Sequence, residues 1–175
     1  FLGAQATTVT FIDRRAISAG ALISLASDTI IMSEGASIGA ATPVQADGGK
    51  AKPTSEKVVS YMRAEMRATA EAKGRRADIA EAMVDSDIAI KDISEKGKLL
   101  TLTSKKALEH KVADAVVANY EAAITLLNLH QAQRVSLKTD WGEKLARALT
   151  EPAVSSMLMS LGFLALMMEL YTAGF

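Results

Sequence analysis

Between Thr7 and Met32 the residue pattern runs strand, turn, helix, strand, and no other stretch restricts the fold as tightly. Thr7-Thr8-Val9-Thr10-Phe11-Ile12-Asp13 is β-branched and apolar, which predicts a short strand. Two arginines follow, and then Ala16 to Ala26 interleaves small residues with Leu and Ile, predicting a buried helix that begins near Ser18. Asp28-Thr29-Ile30-Ile31-Met32 predicts a second, buried strand. A strand–helix–strand unit of this length implies parallel strands joined by a right-handed crossover, and so an α/β fold.

The rest of the chain extends that pattern. Gly35 to Ala40 is a small-residue stretch expected to be a loop, and Gln45 to Pro53 is expected to be the most flexible segment. Pro53-Thr54-Ser55-Glu56 offers a helix cap with an acid in the first turn. Val59, Met62, Met66 and Ala70 recur at helical spacing, predicting a helix to about Lys73, where Gly74 stops it. Short helices are predicted near Asp78–Val84 and Ser104–Glu109, and a short strand at Asp114–Val117. A hairpin is predicted with Lys96-Gly97 between Ile88–Ile93 and Lys98–Leu102. Glu121–Leu129 and Trp141–Leu149 read as peripheral amphipathic helices.

The end of the chain differs in kind. Ala153 to Met168 carries no charge over 16 positions. At ~1.5 Å per residue a helix there reaches about 24 Å, short of the ~30 Å hydrocarbon core of a bilayer. The apolar character resumes after Glu169 and continues to Phe175. A truncated membrane span and a buried or oligomer-interface helix both fit. Because the chain begins at Phe1 rather than Met and stops inside an apolar run, it reads as a piece of a longer protein.

Composition removes several chemistries. The 175 residues contain no cysteine, which excludes a thiol nucleophile, a disulfide framework and a Cys-based zinc or iron–sulfur site. Twenty basic residues balance 20 acidic ones, and aromatics make up 5%, so neither the charge nor the stacking surface for nucleic acid is expected. No Gly-rich loop leads into Lys-Ser/Thr, and no acid spacing joins either histidine in a metal-ligand pattern, so no cofactor or metal is called for.

Ser18 leads the residues that could carry chemistry. It stands where a turn meets a helix start, beside Ala19 and Gly20, so its hydroxyl would be exposed next to free backbone N–H groups. A serine beside glycine also fits a purely structural role. The two histidines, His110 and His130, lie near the ends of polar helices and read as solvated, and the segment lacks the first glycine of a hydrolase nucleophile elbow. A lysine base is the other route to acyl chemistry. Such a lysine must be neutral near pH 7, which needs burial or neighbouring positive potential. Lys57 fits best, in the first turn of a helix with Val58, Val59, Tyr61 and Met62 after it, although an exposed, solvated lysine fits too. Lys50 and Lys52 are rivals placed in the Gly-rich segment.

Several segments, in order, resemble one family. Ile17-Ser18-Ala19-Gly20, followed by Ala21 to Asp28, resembles the nucleophile segment of membrane-bound Clp-class serine proteases of the NfeD type. Ser37-Ile38-Gly39-Ala40-Ala41-Thr42-Pro43 resembles the loop that follows it, and Glu56 to Tyr61 resembles the start of the helix with the catalytic lysine. Gly97 to Thr103 and Ala107 to Asp114 resemble the family's C-terminal half, and Glu151-Pro152-Ala153-Val154 its passage into the membrane. Lys111 departs from the pattern, standing where relatives commonly have glycine, and Lys105-Lys106 replaces a usual acid after Thr103.

The resemblance implies a Clp/crotonase-like superfold of repeated ββα units, truncated at its N-terminal side and followed by a membrane-entering helix. It divides the chain into a protease domain over 1–130, an amphipathic connector over 131–151 and the start of a transmembrane region over 152–175. It implies a Ser-Lys dyad of Ser18 and Lys57, about 40 residues apart as in the family, with the Ala19 N–H as one oxyanion donor. The other donor, from a glycine pair, belongs to an upstream half absent from this sequence, so activity is expected of a longer protein. The implied function is hydrolysis of hydrophobic protein segments at a membrane, by a homo-oligomer with an extracytoplasmic protease domain and stomatin-like partners. The rivals are a crotonase-like acyl-CoA enzyme, because the superfold is shared, and a catalytically silent membrane scaffold.

Overall fold

The computed structural model describes residues 1–47, 50–137 and 140–172, with backbone alone at 45–47 and 50–53. Two compact units divide it, Phe1–Gln131 and Ala132–Phe175.

In the first unit the chain opens with β1 (Val9–Ile12), bends at Asp13 and Arg14, and continues as β2 (Arg15–Ile17) into α1 (Ala19–Leu25). The same order then recurs as β3 (Thr29–Ser33) and β4 (Ser37–Gly39), followed by a hairpin of β5 (Val44–Asp47) and β6 (Lys50–Pro53) and by α2 (Glu56–Ala72). Thus a strand–strand–helix unit occurs twice. Its copies lie side by side, β1 parallel to β3 with Val9 opposite Thr29, and β2 parallel to β4 with Arg15 opposite Ser37. After α3 (Ala77–Ala82) come β7 (Thr101–Thr103), α4 (Ser104–Glu109), β8 (Ala115–Val117) and α5 (Tyr120–Leu126). Two three-stranded sheets result, β1-β3-β8, wholly parallel, and β2-β4-β7, in which β7 runs antiparallel to β4.

The parallel pairing of β1 with β3 across α1 is the crossover that the sequence predicts. Ile30, Ile31 and Met32 of β3 are fully buried, as the middle strand of a parallel sheet should be. Ile38, Met66, Ile79 and Met83 join the same core from β4, α2, α3 and the residue capping α3.

Three segments differ from expectation. The Gly35–Ala40 stretch contains a strand, β4, because its glycine is a close-approach residue rather than a loop residue. A Cβ on Gly39, where φ is 143°, would stand 2.4 Å from the Leu100 carbonyl oxygen of the adjoining chain. Gln45–Pro53 forms most of the β5–β6 hairpin, with Gly48 and Gly49 outside the described residues. The hairpin expected over Ile88–Leu102 reduces to a single antiparallel bridge, Ile90 with Ser94, since Leu102 instead pairs with Ile38 of β4. β2 is also absent from the sequence reading, because three residues are too few for a period to show.

A buried arginine ties the repeat together. Arg75 follows the left-handed Gly74 (φ 67°) that ends α2, and its side chain is 4% exposed. Its guanidinium donates to the carbonyls of Ser27 (2.9 Å), Asp28 (3.2 Å) and Val112 (3.2 Å), and to Asp114 Oδ2 (3.0 Å). Asp114 Oδ2 also accepts the Ile30 N–H at 2.7 Å. Four acceptors take four of the five N–H donors of one buried cation, and burial of that charge requires such partners.

Lys111 adopts φ 58°, the left-handed conformation that glycine takes most easily. Lysine at this position therefore leaves the turn in place at some strain. Thr103 caps α4 by accepting the Lys106 N–H at 3.4 Å. Lys106 itself cannot return the second bond of a capping box, which an acid there would make.

The second unit holds α6 (Trp141–Thr150) and α7 (Pro152–Tyr171). Glu151 separates them in an extended conformation (φ −63°, ψ 129°), as a residue preceding proline prefers, and its carboxylate caps α7 through the Val154 N–H. The 20-residue α7 contains an 18-residue stretch with a mean hydropathy of 1.7, and length and composition alone suit a membrane span. None of its described residues is buried. Ala173, Gly174 and Phe175 lie outside the described residues.

Candidate active site

Ser18 occupies the single residue between β2 and α1, and its backbone is strained, with φ 55° and ψ −127°. Few L-residues adopt that conformation, and where they do it holds a side chain in a position an ordinary turn would not give. Two hydrogen bonds hold it here: the Ser18 N–H donates to the Ala40 carbonyl (3.0 Å), and the Ser18 carbonyl accepts the Ala21 N–H (3.0 Å). Ala40 is itself left-handed (φ 43°) and is fixed by its own N–H to the Leu100 carbonyl (3.0 Å). The close approach at Gly39 and the turn at Ser18 are thus one assembly.

The Ser18 side chain is exposed and makes no capping bond to the helix it precedes. Among the described residues the Ala19 N–H has no acceptor, as expected for the first residue of a helix. Hydroxyl and free donor therefore adjoin. Ser24, six residues further on, turns its own hydroxyl back to the Gly20 carbonyl (2.7 Å) and is buried, so it takes no part.

Beside Ser18 lies a pocket of about 110 Å³ lined by Ser18, Ala19, Leu22, Ala41, Pro43 and Met62. Apart from Ser18 every one of these side chains is apolar. The wall joins three parts of the chain: the start of α1, the segment after β4 and the middle of α2. Ala41 is held there by its N–H to the Met83 carbonyl (2.7 Å), and Thr42 by its hydroxyl to the Val84 carbonyl (2.6 Å).

Met62 brings α2 to the serine. Lys57 stands five residues earlier on that helix, about 7.5 Å along its axis. Lys57 is exposed, and so are Val58 and Tyr61, at 40% and 63%. The apolar enclosure expected around Lys57 is not packed over it, because α2 turns Val59, Met62, Met66 and Ala70 inward and leaves the opposite face in solvent. Lys50 and Lys52 lie on β6, and their side chains are outside the described residues. His130 is exposed; His110 caps the end of α4, half-buried, with Nε2 buried and without a partner among the described residues. Neither lines the Ser18 pocket. Among the described residues no acid–histidine cluster could hold a metal ion.

Sequence reasoning found Ser18 but missed the pocket wall. Ala41 and Pro43 fall in a segment whose sequence reads as loop, and Met62 reads as part of the core stripe and of the apolar surround of Lys57, not as a wall beside Ser18. The signal available was its position, one and a half turns from Lys57 on the stripe that faces α1.

Comparison with known proteins follows the same outline. Residues 2–137 match the family described as NfeD1b, N-terminal domain. Membrane protein NfeD1b of Bacillus subtilis (strain 168) is 36% identical over 165 residues, which cover 94% of this chain and 37% of that protein. Membrane-bound protease PH1510 of Pyrococcus horikoshii is 28% identical over 177 residues, covering 91% of this chain and 37% of that protein. The chain thus spans little more than a third of the length of the curated relatives it matches.

Among solved structures, a serine-to-alanine mutant of the 1510-N membrane-bound stomatin-specific protease matches with a TM-score of 0.55 and 27% identity, over 67% of this chain and 53% of that one. A lysine-to-alanine mutant of the same protease, in complex with a substrate peptide, matches with a TM-score of 0.60 over 79% and 67%; at 24% identity that likeness concerns the fold. With more than half of its residues matched by one family description, this chain belongs to the NfeD1b family, residues 2–137 corresponding to the N-terminal domain.

Proposed function

We propose that this domain hydrolyses peptide bonds in hydrophobic protein segments, with Ser18 as nucleophile and Lys57 as general base. The observation that carries the reading is Ser18 itself: a strained serine with a free hydroxyl, next to an unpaired Ala19 N–H, at the mouth of an apolar pocket. Ser18 Oγ attacks the scissile carbonyl while Lys57 takes its proton, and Lys57 then returns that proton to the leaving amine. The Ala19 N–H donates to the oxyanion as the carbonyl becomes tetrahedral. The pocket receives an aliphatic side chain of the substrate beside the scissile bond, and the bound chain covers the exposed face of α2 where Lys57 stands.

Support comes also from the relatives: one 28% identical is named a membrane-bound protease, and a structure 27% identical is a stomatin-specific protease with a serine replaced. By that likeness we take the substrate to be a stomatin-like membrane protein; a Clp/crotonase-like fold, and entry of α7 into the membrane with the catalytic domain on the extracytoplasmic side, rest on the resemblance in the sequence alone. The test is turnover of a fluorogenic peptide carrying leucine before the scissile bond, by the membrane-embedded full-length protein. Ser18→Ala and Lys57→Ala each lower kcat/KM by about 10³-fold or more. Unchanged turnover in both variants contradicts the reading by moving the chemistry to other residues, and a wild-type protein without turnover leaves a scaffold in its place.

A further inference from the structure

α6 carries a face that nothing in its own unit covers. On a helical wheel Trp141, Leu145, Ala148 and Leu149 fall within about 100° of one another, and Glu143, Lys144 and Arg147 occupy the other side. Trp141 is 79% exposed, Leu145 49% and Leu149 48%, and no residue of the helix is buried. The charges on and beside the polar face cancel, Glu143 and Glu151 against Lys144 and Arg147, with Arg147 paired to Glu143 at 2.7 Å, so charge recruits no particular partner to it.

What covers the apolar face follows from the chain. One residue, Glu151, separates α6 from α7, whose described residues are apolar all round and carry no charge between Pro152 and Met168. If α7 enters a bilayer, α6 starts at the membrane surface, and its whole length of about 15 Å cannot leave the headgroup region by more than that distance. A short helix with an apolar stripe, a charged opposite side and a tryptophan matches the chemistry of the lipid–water boundary, where an indole places its ring among acyl chains and its N–H in water.

We propose that α6 lies in the membrane interface as an amphipathic anchor, its Trp141–Leu145–Leu149 face sunk among lipid. This rests on the reading that α7 is membrane-inserted. It fixes the point at which the chain rises from the bilayer, independently of what the catalytic domain does. Because the polar side is balanced, anchoring proceeds equally on phosphatidylcholine vesicles and on vesicles containing anionic phosphatidylglycerol.

Trp141 is the chain's single tryptophan and so reports on its own position. The 175-residue chain is reconstituted into phosphatidylcholine vesicles, and insertion of α7 is read separately by resistance to alkaline carbonate extraction. The expected result is blue-shifted Trp141 emission, shielding from aqueous acrylamide, and stronger quenching by lipids brominated high on the acyl chain than by lipids brominated near its end. The double variant Leu145→Glu, Leu149→Glu loses the shift and the lipid quenching while remaining carbonate-resistant. Acrylamide-accessible emission in a carbonate-resistant chain overturns the proposal and leaves α7 in the membrane. Shielding from acrylamide without bromolipid quenching overturns it too, by showing that protein covers the face. A chain extracted by carbonate removes the membrane reading and this proposal together.

Discussion

At Ser18 the backbone is held at φ 55° by its bonds to Ala40 and Ala21, in a conformation that costs a serine on the order of 1–3 kcal/mol. Such a cost persists when a hydroxyl has to stand at that point, and glycine escapes most of it. Ser18→Gly is therefore expected to stabilise the domain by about 1 kcal/mol, raising Tm by a few degrees while abolishing hydrolysis. Thermal unfolding beside the peptide assay checks it, and a lower Tm would contradict the strain. The serine was legible in the sequence because a strand exit, small neighbours and a helix start converge on it. Its strain was not, since φ at Ser18 depends on Ala40, 22 residues away, and on Leu100 beyond that.

Elements were legible where their pattern is long and local. α2 ends where Gly74 predicts, α4 spans the predicted residues, and α6 begins at Trp141 as read. β2 and β4 were not legible, because each is three residues long and exists through its neighbours: β2 pairs with β4, and β4 with β7 where Gly39 lies against Leu100, none of which a local period encodes. The same holds for the Arg75 bridge between α1, β3 and β8. Arg75→Met would leave three carbonyls short of a donor and Asp114 without its cation, at a cost of about 3 kcal/mol by chemical denaturation.

Asp28 beside that bridge accepts from Lys73 Nζ (2.6 Å) and from the Thr8 N–H and hydroxyl (both 2.7 Å). Chiefly through the Lys73 bond, these partners hold its carboxyl far below the usual carboxylate range. A depressed carboxylate favours the folded state above its unfolded pKa of about 4, and that contribution is lost as pH falls from there toward the folded value. Asp28→Asn is expected to flatten the acid limb of the stability–pH curve below about pH 4, leaving its shape between pH 6 and 8 unaltered. An acid limb identical to wild type would contradict the assignment.

Over the whole molecule, the two sequence features that survived intact are the α/β crossover at one end and the apolar helix at the other. Both are properties of composition over many residues, which neighbours cannot reverse. The site between them is tertiary. Its serine and one side of its pocket come from the first strand–strand–helix unit, and the rest of the pocket wall and the lysine-bearing helix from the second. The doubled unit is thus what would set nucleophile against base, and this juxtaposition is the claim on which the functional reading stands. It is tested most directly by fluorophosphonate labelling of the membrane-embedded full-length protein, with the adduct mapped by mass spectrometry. The account predicts an adduct on Ser18 that is lost in Ser18→Ala and reduced by about 10³-fold in rate in Lys57→Ala. Equal labelling of wild type and both variants would contradict it.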